Sequence, residues 1–233
     1  MACVALIPAA GSGSRIASET PKQYARLAGM PMLYHAVRSL AAEPIETVFV
    51  VLAPDDTLFA RHDWREFDGR LEPLYCGGAT RRDSVYNGLV AAMSAVDADD
   101  WVLVHDAARP CMPRSDLDRL IAEVSDDEIG GLLALPAVET VKRAVKHADG
   151  PARVAQTEDR SVLWLAQTPQ MFRAGLLAEA LRRARPTVTD ESGAVEQLGM
   201  KPRLVTGSRQ NLKVTYPEDL VIAEAILARR ELR

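Results

Sequence analysis

The stretch "CVALIPAAGSGSRIASETPKQY", residues 3–24, decides the fold. It opens on a run of consecutive apolar residues and passes at Pro8 into a segment of glycine, serine and small residues. Apolar residues on consecutive rather than alternating positions fit a strand buried on both faces. A glycine-rich turn directly after such a strand brings backbone N–H groups close to an anion.

The same rhythm repeats outward. "TVFVVLA" (47–53), "LEPLYC" (71–76) and "WVLVHDA" (101–107) are further apolar runs. Helix-like segments follow the four runs at 31–42, 55–67, 80–96 and 113–125. Strands alternating with helices predict an α/β fold with a mostly parallel sheet flanked by helices. Ligands of such sheets sit beyond the carboxyl ends of the strands, so the loops after these runs are the candidate site.

The chain carries 28 Lys+Arg against 32 Asp+Glu, a net charge of −4, with 48% hydrophobic residues. That balance gives no general attraction to nucleic acid or to an acidic membrane surface, so anion binding must come from local clusters. No apolar stretch approaches the roughly 20 residues of a membrane span, and the start lacks a basic secretory n-region. Three cysteines, Cys3, Cys76 and Cys111, lack metal-ligand spacing and fit buried thiols of a reducing compartment. The expectation is one cytoplasmic domain over 1–233, with neither nucleic acid nor membrane as partner.

Two common phosphate signatures fail at the first loop. Gly13 is followed by Ser14 and Arg15 rather than Lys and Ser/Thr, and Ile16 stands where a dinucleotide fingerprint needs its third glycine. Arg15 and Lys22 lie among residues that disfavour a regular helix. They are either solvated surface charges or two cations wrapped round a phosphate chain. In "CGGATRRDSV" (76–85), Thr80 and Asp83 have the spacing of a helix cap.

"HDAARP" (105–110) places Asp106 at the end of the most hydrophobic strand. It is either a ligand for Mg²⁺, which favours one or two carboxylates plus phosphates, with Arg109 three residues on forking onto a phosphate, or half of a structural pair with Arg109. His105 has no neighbours suggesting a metal site or a nucleophile triad. Lys213 within "NLKVT" reads as part of a strand, either exposed at an edge or buried against an anion.

Beyond residue 136 two alternating segments flank Asp149-Gly150-Pro151, the pattern of a β-hairpin. Its faces are too polar for stability alone, so an arm at about 138–162 is expected to pack on a second copy of the chain. Helices at 173–185 and 190–198, a strand at 203–207 and a helix from Pro217 complete the chain.

Taken in order, "PAAGSGSR", "PKQY", "HDAARP", "TPQ", "TDE" and "NLKVT" resemble the 2-C-methyl-D-erythritol 4-phosphate cytidylyltransferase family of the non-mevalonate isoprenoid pathway, from about residue 3 to 231. The resemblance implies a Rossmann-like nucleotidyltransferase fold, a homodimer joined by the β-arm, and Mg²⁺-dependent transfer of CMP from CTP to methylerythritol phosphate. Carried onto this chain, it implies Arg15, Lys22 and Lys213 as the cations stabilising the reacting phosphates. It implies Ala9, Ala10, Gly11, Gly13, Gly78, Ala79, Arg81 and Ser84 around CTP. Asp106 would face Mg²⁺ and the alcohol, with Arg109 and Thr168 from one subunit and Thr140 and Arg160 from the arm of the other. Two positions depart from the pattern: Gln210 stands where relatives often have an acid, and Ala79 where some have Asp. Ribitol-5-phosphate cytidylyltransferases share much of the pattern, and a CTP-binding module without turnover is the reading from another class.

Overall fold

The computed structural model describes residues 2–11, 20–145 and 151–231. In chain order the elements are β1 (Cys3–Pro8), the two-residue strands β2 (Arg26–Leu27) and β3 (Met30–Pro31), α1 (Met32–Leu40), β4 (Thr47–Val51), β5 (Leu71–Leu74), α2 (Arg81–Ala92) and β6 (Trp101–Val104). There follow α3 (Arg114–Val124), β7 (Gly131–Pro136), β8 (Lys142–Val145), β9 (Arg153–Thr157), β10 (Trp164–Arg173), α4 (Ala174–Arg183), α5 (Glu191–Glu196), β11 (Arg203–Thr206) and α6 (Pro217–Glu231).

The main sheet has seven strands in the order β11-β7-β10-β6-β1-β4-β5. Every neighbouring pair is parallel except those made by β10, which runs antiparallel to both β6 and β7. After β1 the chain builds outward through β4 and β5, then returns to β6 on the other side of β1. The direction of winding therefore reverses between β1 and β6, where a crevice opens at the strand ends.

Alternation along β1 sorts its side chains between two cores. Cys3, Ala5 and Ile7 pack with Leu33, Val37 and Leu40 of α1 and Leu117, Leu120 and Val124 of α3. Val4 and Leu6 face Val85 and Leu89 of α2 and Leu177 and Leu181 of α4. Burying one such aliphatic side chain is worth about 1.5–3 kcal/mol, which is why the apolar runs choose central strands. A Cβ on Gly88 of α2 would stand 2.2 Å from Cγ2 of Val51, so that helix lies directly on β4.

Four readings of the sequence change. Residues 55–67 form two short 3-10 turns, Phe59–Arg61 and Arg65–Phe67, instead of a helix. Asp56 Oδ1 accepts from the N–H groups of Leu58 and Phe59, and Asp63 from that of Arg65, so side chains capture donors a helix would need. β7 was not anticipated, because "GLLALP" lacks the β-branched residues that mark strands. β10 continues past the hairpin into the main sheet. "NLKVT" is an irregular segment whose Val214 N–H bonds to the carbonyl of Ala108 at 2.8 Å, docking it on the loop after β6.

β8 and β9 pair antiparallel as a separate ribbon with every residue exposed. The turn residues Asp149 and Gly150 lie outside the described residues.

Candidate active site

Loops after β1, β5 and β6 close round a cavity of about 520 Å³ at the reversal point. Ala9, Ala10, Gly11, Lys22, Gly78, Ala79, Arg81, Ser84, Asp106 and Lys213 all line it, together with Gln23 and Thr80. Gly13 and Arg15 lie outside the described residues. Of the remaining residues carried over, Arg109 and Thr168 are buried beneath the cavity, and Thr140 and Arg160 are on the exposed arm.

The two glycine loops interlock. Gly77 donates to Leu52 O at 2.8 Å, and a Cβ on it would fall 2.2 Å from Cβ of Ala10. Only a residue without a side chain lets these loops meet. Gly78 N–H bonds to Ser84 Oγ at 3.1 Å, and Ser84 Oγ donates to Thr80 O at 2.9 Å. Thr80 caps α2, its hydroxyl accepting from Asp83 N–H at 3.1 Å, as the Thr-x-x-Asp spacing predicts. Lys22 enters on a single 3-10 turn, Lys22–Tyr24, whose Gln23 amide donates to Ala9 O at 2.7 Å and ties the end of the first loop to its start.

Asp106 is the electrostatic centre. Its Oδ1 accepts from Arg81 Nε at 2.9 Å, its Oδ2 lies 2.7 Å from Lys213 Nζ, and Arg109 Nε approaches to 3.8 Å. Burial alone raises its pKa; Arg81, then Lys213 and Arg109, reverse this and hold the carboxyl well below the usual range, fully ionised. Arg81 in turn forks onto Glu191, Nη1 to Oε1 at 2.7 Å and Nη2 to Oε2 at 3.0 Å. Burial opposes the Arg81 charge, but Glu191 and Asp106 outweigh it and raise its pKa.

Under this cluster lies a buried polar layer. With the Arg109 carbonyl as acceptor, His105 carries its hydrogen on Nε2 (3.0 Å), leaving Nδ1 to accept from the Thr168 hydroxyl (3.0 Å). The Thr168 oxygen accepts the Asp106 N–H at 3.0 Å. The single hydroxyl hydrogen of Thr168 is thereby spent on His105. Complete burial pulls the His105 pKa down to about 4, so the ring is neutral. Arg109 donates to the carbonyls of Asn211 (2.7 Å) and Ala166 (3.3 Å), so its guanidinium braces backbone instead of forking into the cavity. Asn211 donates to Thr168 O at 2.7 Å and so pins the segment that carries Lys213.

Glu191, Gln23 and Asn211 received no individual role from the sequence. Each stands inside a motif already singled out, "TDE", "PKQY" and "NLKVT". A carboxylate flanked by Asp190 and Ser192 gives no local sign that it will be fully buried.

Thr140 and Arg160 line no part of this chain's cavity. Arg160 donates to the carbonyl of Val138, holding the base of the arm. Val154 on the ribbon and Val162 and Leu165 at its base are 63%, 73% and 59% exposed, unusual apolar exposure for so small a region.

The family model for 2-C-methyl-D-erythritol 4-phosphate cytidylyltransferase, IspD, matches residues 3–229. The chain belongs to the IspD family. Enzymes of that name from Laribacter hongkongensis and Dechloromonas aromatica are 59% and 56% identical, each alignment covering 97% of this chain and 96% and 98% of the relative. Among solved structures, a 4-diphosphocytidyl-2C-methyl-D-erythritol synthase superposes with a TM-score of 0.84 at 37% identity, covering 97% of this chain and 98% of the other. The IspD protein of Francisella tularensis gives 0.80 at 34% identity, covering 97% and 100%. IspD proteins are nucleotidyltransferases, and the mostly parallel α/β fold is theirs.

Proposed function

We propose that the protein transfers CMP from CTP to 2-C-methyl-D-erythritol 4-phosphate, forming 4-diphosphocytidyl-2-C-methyl-D-erythritol and pyrophosphate for isoprenoid precursor synthesis. The observation that carries this reading is the ionised, buried Asp106 with Arg81 and Lys213 lining a cavity walled by two glycine loops, in a chain of the IspD family. Backbone groups of residues 9–11 and 78–79 suit recognition of a flat base, and Lys22 and Lys213 suit the phosphates. An oxygen of the alcohol's phosphate forms a bond to the α-phosphorus of CTP as the bond to the bridging oxygen of pyrophosphate breaks. A phosphate monoester with a second pKa near 6 is already an anion at pH 7, so no general base is needed. The protein's contribution is alignment and charge stabilisation.

The donor set fits a magnesium ion carried in by the nucleotide. Among the described residues no cluster of three or more His, Cys, Asp or Glu could hold a resident ion, and Mg²⁺ is content with one carboxylate plus phosphates and water. Asp106 would be that carboxylate, and the ion would neutralise charge on the triphosphate. Gln210, where relatives often carry an acid, adds no carboxylate; its Oε1 accepts from Arg230 at 3.2 Å.

The exposed apolar residues of the arm support a homodimer in which Thr140 and Arg160 reach the partner's alcohol site. Among the described residues no helix is long and apolar enough to cross a membrane, and the three cysteines are free, in keeping with a cytoplasmic enzyme. The test is pyrophosphate release with CTP and Mg²⁺, offering methylerythritol phosphate and ribitol phosphate in parallel. Release with the first alone is the expected result. Release with ribitol phosphate alone overturns the substrate, and release with neither overturns the activity.

A further inference from the structure

Asp106 faces three cations, and one carboxylate cannot orient all of them. The second anion of the cluster is Glu191, whose side chain is 1% exposed and whose fork onto Arg81 makes two hydrogen bonds of 2.7 and 3.0 Å. Its own seat is rigid. Asp190 caps α5 by accepting from Gly193 N–H at 3.1 Å, and Gln170 of β10 both donates to Asp190 Oδ2 at 2.9 Å and accepts from Ser192 N–H at 2.7 Å. Residues on either side of Glu191 are thus tied to the central sheet.

A guanidinium is planar and stiff, so fixing its two Nη atoms on one carboxylate fixes the direction of Nε. That Nε points at Asp106 Oδ1. Lys213 is the opposite kind of cation: a point charge on a flexible stem, 48% exposed at its side chain against 29% for Arg81, paired with the other oxygen of Asp106. We propose that Glu191 is a positioning residue that holds Asp106 through Arg81, so that Arg81 stays bound to Asp106 when substrates arrive while Lys213 is the cation released to their phosphates. Without the Glu191 charge, Arg81 turns its two Nη atoms, now unheld, onto Asp106, which withdraws Nε from Oδ1 and occupies both oxygens. The inference deepens the cytidylyltransferase reading and rests on it for its kinetic consequence, because Asp106 is there the carboxylate that serves the alcohol and the nucleotide's magnesium.

The experiment uses the full-length protein and the substitution Glu191→Gln, which keeps shape and removes charge. The Nε–H resonance of Arg81 in the ¹⁵N-labelled, nucleotide-free protein, assigned by its loss in Arg81→Lys, exchanges slowly in the parent and at least about tenfold faster in Glu191→Gln. Per active site, kcat/KM for the alcohol phosphate falls at least about tenfold while KM for CTP changes by less than about threefold. Combining Glu191→Gln with Asp106→Asn gives less than the product of the two separate effects. An unchanged Nε–H exchange rate overturns the proposal. So does a loss shared equally by both substrates and matched by the folded fraction, which is all a structural role would give. Should Glu191→Gln fail to fold, Arg81→Lys carries the kinetic arm, since lysine keeps the charge but cannot fork; a parent-like substrate profile there overturns the proposal. Absence of pyrophosphate release from the parent protein would refute the function instead, with the exchange measurement still deciding whether Glu191 holds Arg81.

Discussion

The cavity floor and the β-arm solve opposite problems. At the floor, the buried carboxylates Asp106 and Glu191 and the half-buried Arg81 satisfy one another before any ligand arrives. On the arm, β8 and β9 expose every residue and present valines to solvent. The floor's charged groups are paired within one chain, while the arm's side chains face solvent. Preorganised charge is what stabilisation of reacting phosphates calls for, whereas an exposed apolar ribbon is what the proposed homodimer would cover.

The largest effect expected at the floor is on turnover. Lys22→Ala should lower kcat by at least about 100-fold, the scale of one lost charge-stabilising group, read by pyrophosphate release. A kcat near that of the parent would break the claim that the floor is built for phosphate charge. Arg15→Ala is expected to match it.

The next effect concerns pH. The folded-state pKa of His105, about 4 against an ordinary 6.5, means the unfolded chain binds the extra proton between these values. The His105 contribution to stability is therefore complete above about pH 6.5 and is lost as pH falls toward 4, by roughly 2 kcal/mol between pH 7 and 5. Urea midpoints at the two values check this, and His105→Asn should flatten that portion of the slope. A slope unchanged in the variant would show that the buried layer under Asp106 is not its source.

The arm should respond in association while the fold of the single chain stays intact. If the proposed homodimer covers this face, Val154→Asp is expected to convert dimer to monomer by light scattering and to cut activity about tenfold at dilute enzyme, with the circular dichroism of the parent. A dimer that survives would place the contact elsewhere. Arg160→Ala is expected to raise KM for the alcohol phosphate about tenfold, the value of one charge-assisted contact, and to leave KM for CTP alone. Smallest of all, Thr80→Ala should cost about 1 kcal/mol through loss of the α2 cap, measured by thermal unfolding, and shift CTP affinity only slightly.

Much of this was legible in the sequence, for identifiable reasons. β1, β4 and β6 are buried on both faces, so their apolar runs are continuous and unmistakable, whereas β5 is a half-buried edge strand marked chiefly by its place in the rhythm. The cavity loops follow directly, since chemistry collects at strand ends. β7 was hidden because leucine and alanine serve helices as readily as buried strands. Residues 55–67 looked helical until Asp56 and Asp63 captured the donors. Within the site, Asp106 and Lys213 were visible as types out of place in apolar company. Glu191 was invisible because its reason for existing is an arginine 110 residues away in sequence. The inward turn of Arg109 and Thr168 depends on carbonyls of Ala166 and Asn211 and on His105, which no spacing rule encodes.

β10 has a consequence of its own. Its first residues, Trp164 and Leu165, lie at the exposed root of the arm, and its middle carries Thr168 and Gln170, which reach Asp106 and the start of α5. Its last, Arg173, lies 3.7 Å above the ring of Trp101 at the far end of β6. Pairing with β7 shifts register once, between Ala166 and Gln170. Because side chains along a paired strand change sides at every step, inserting or deleting one residue within Trp164–Ala166, paired with β7 ahead of that shift, would turn Trp164 and Leu165 each to the opposite face of the sheet. The root of the arm is therefore keyed to β7 pleat by pleat, while the register shift separates that frame from the one that sets Gln170.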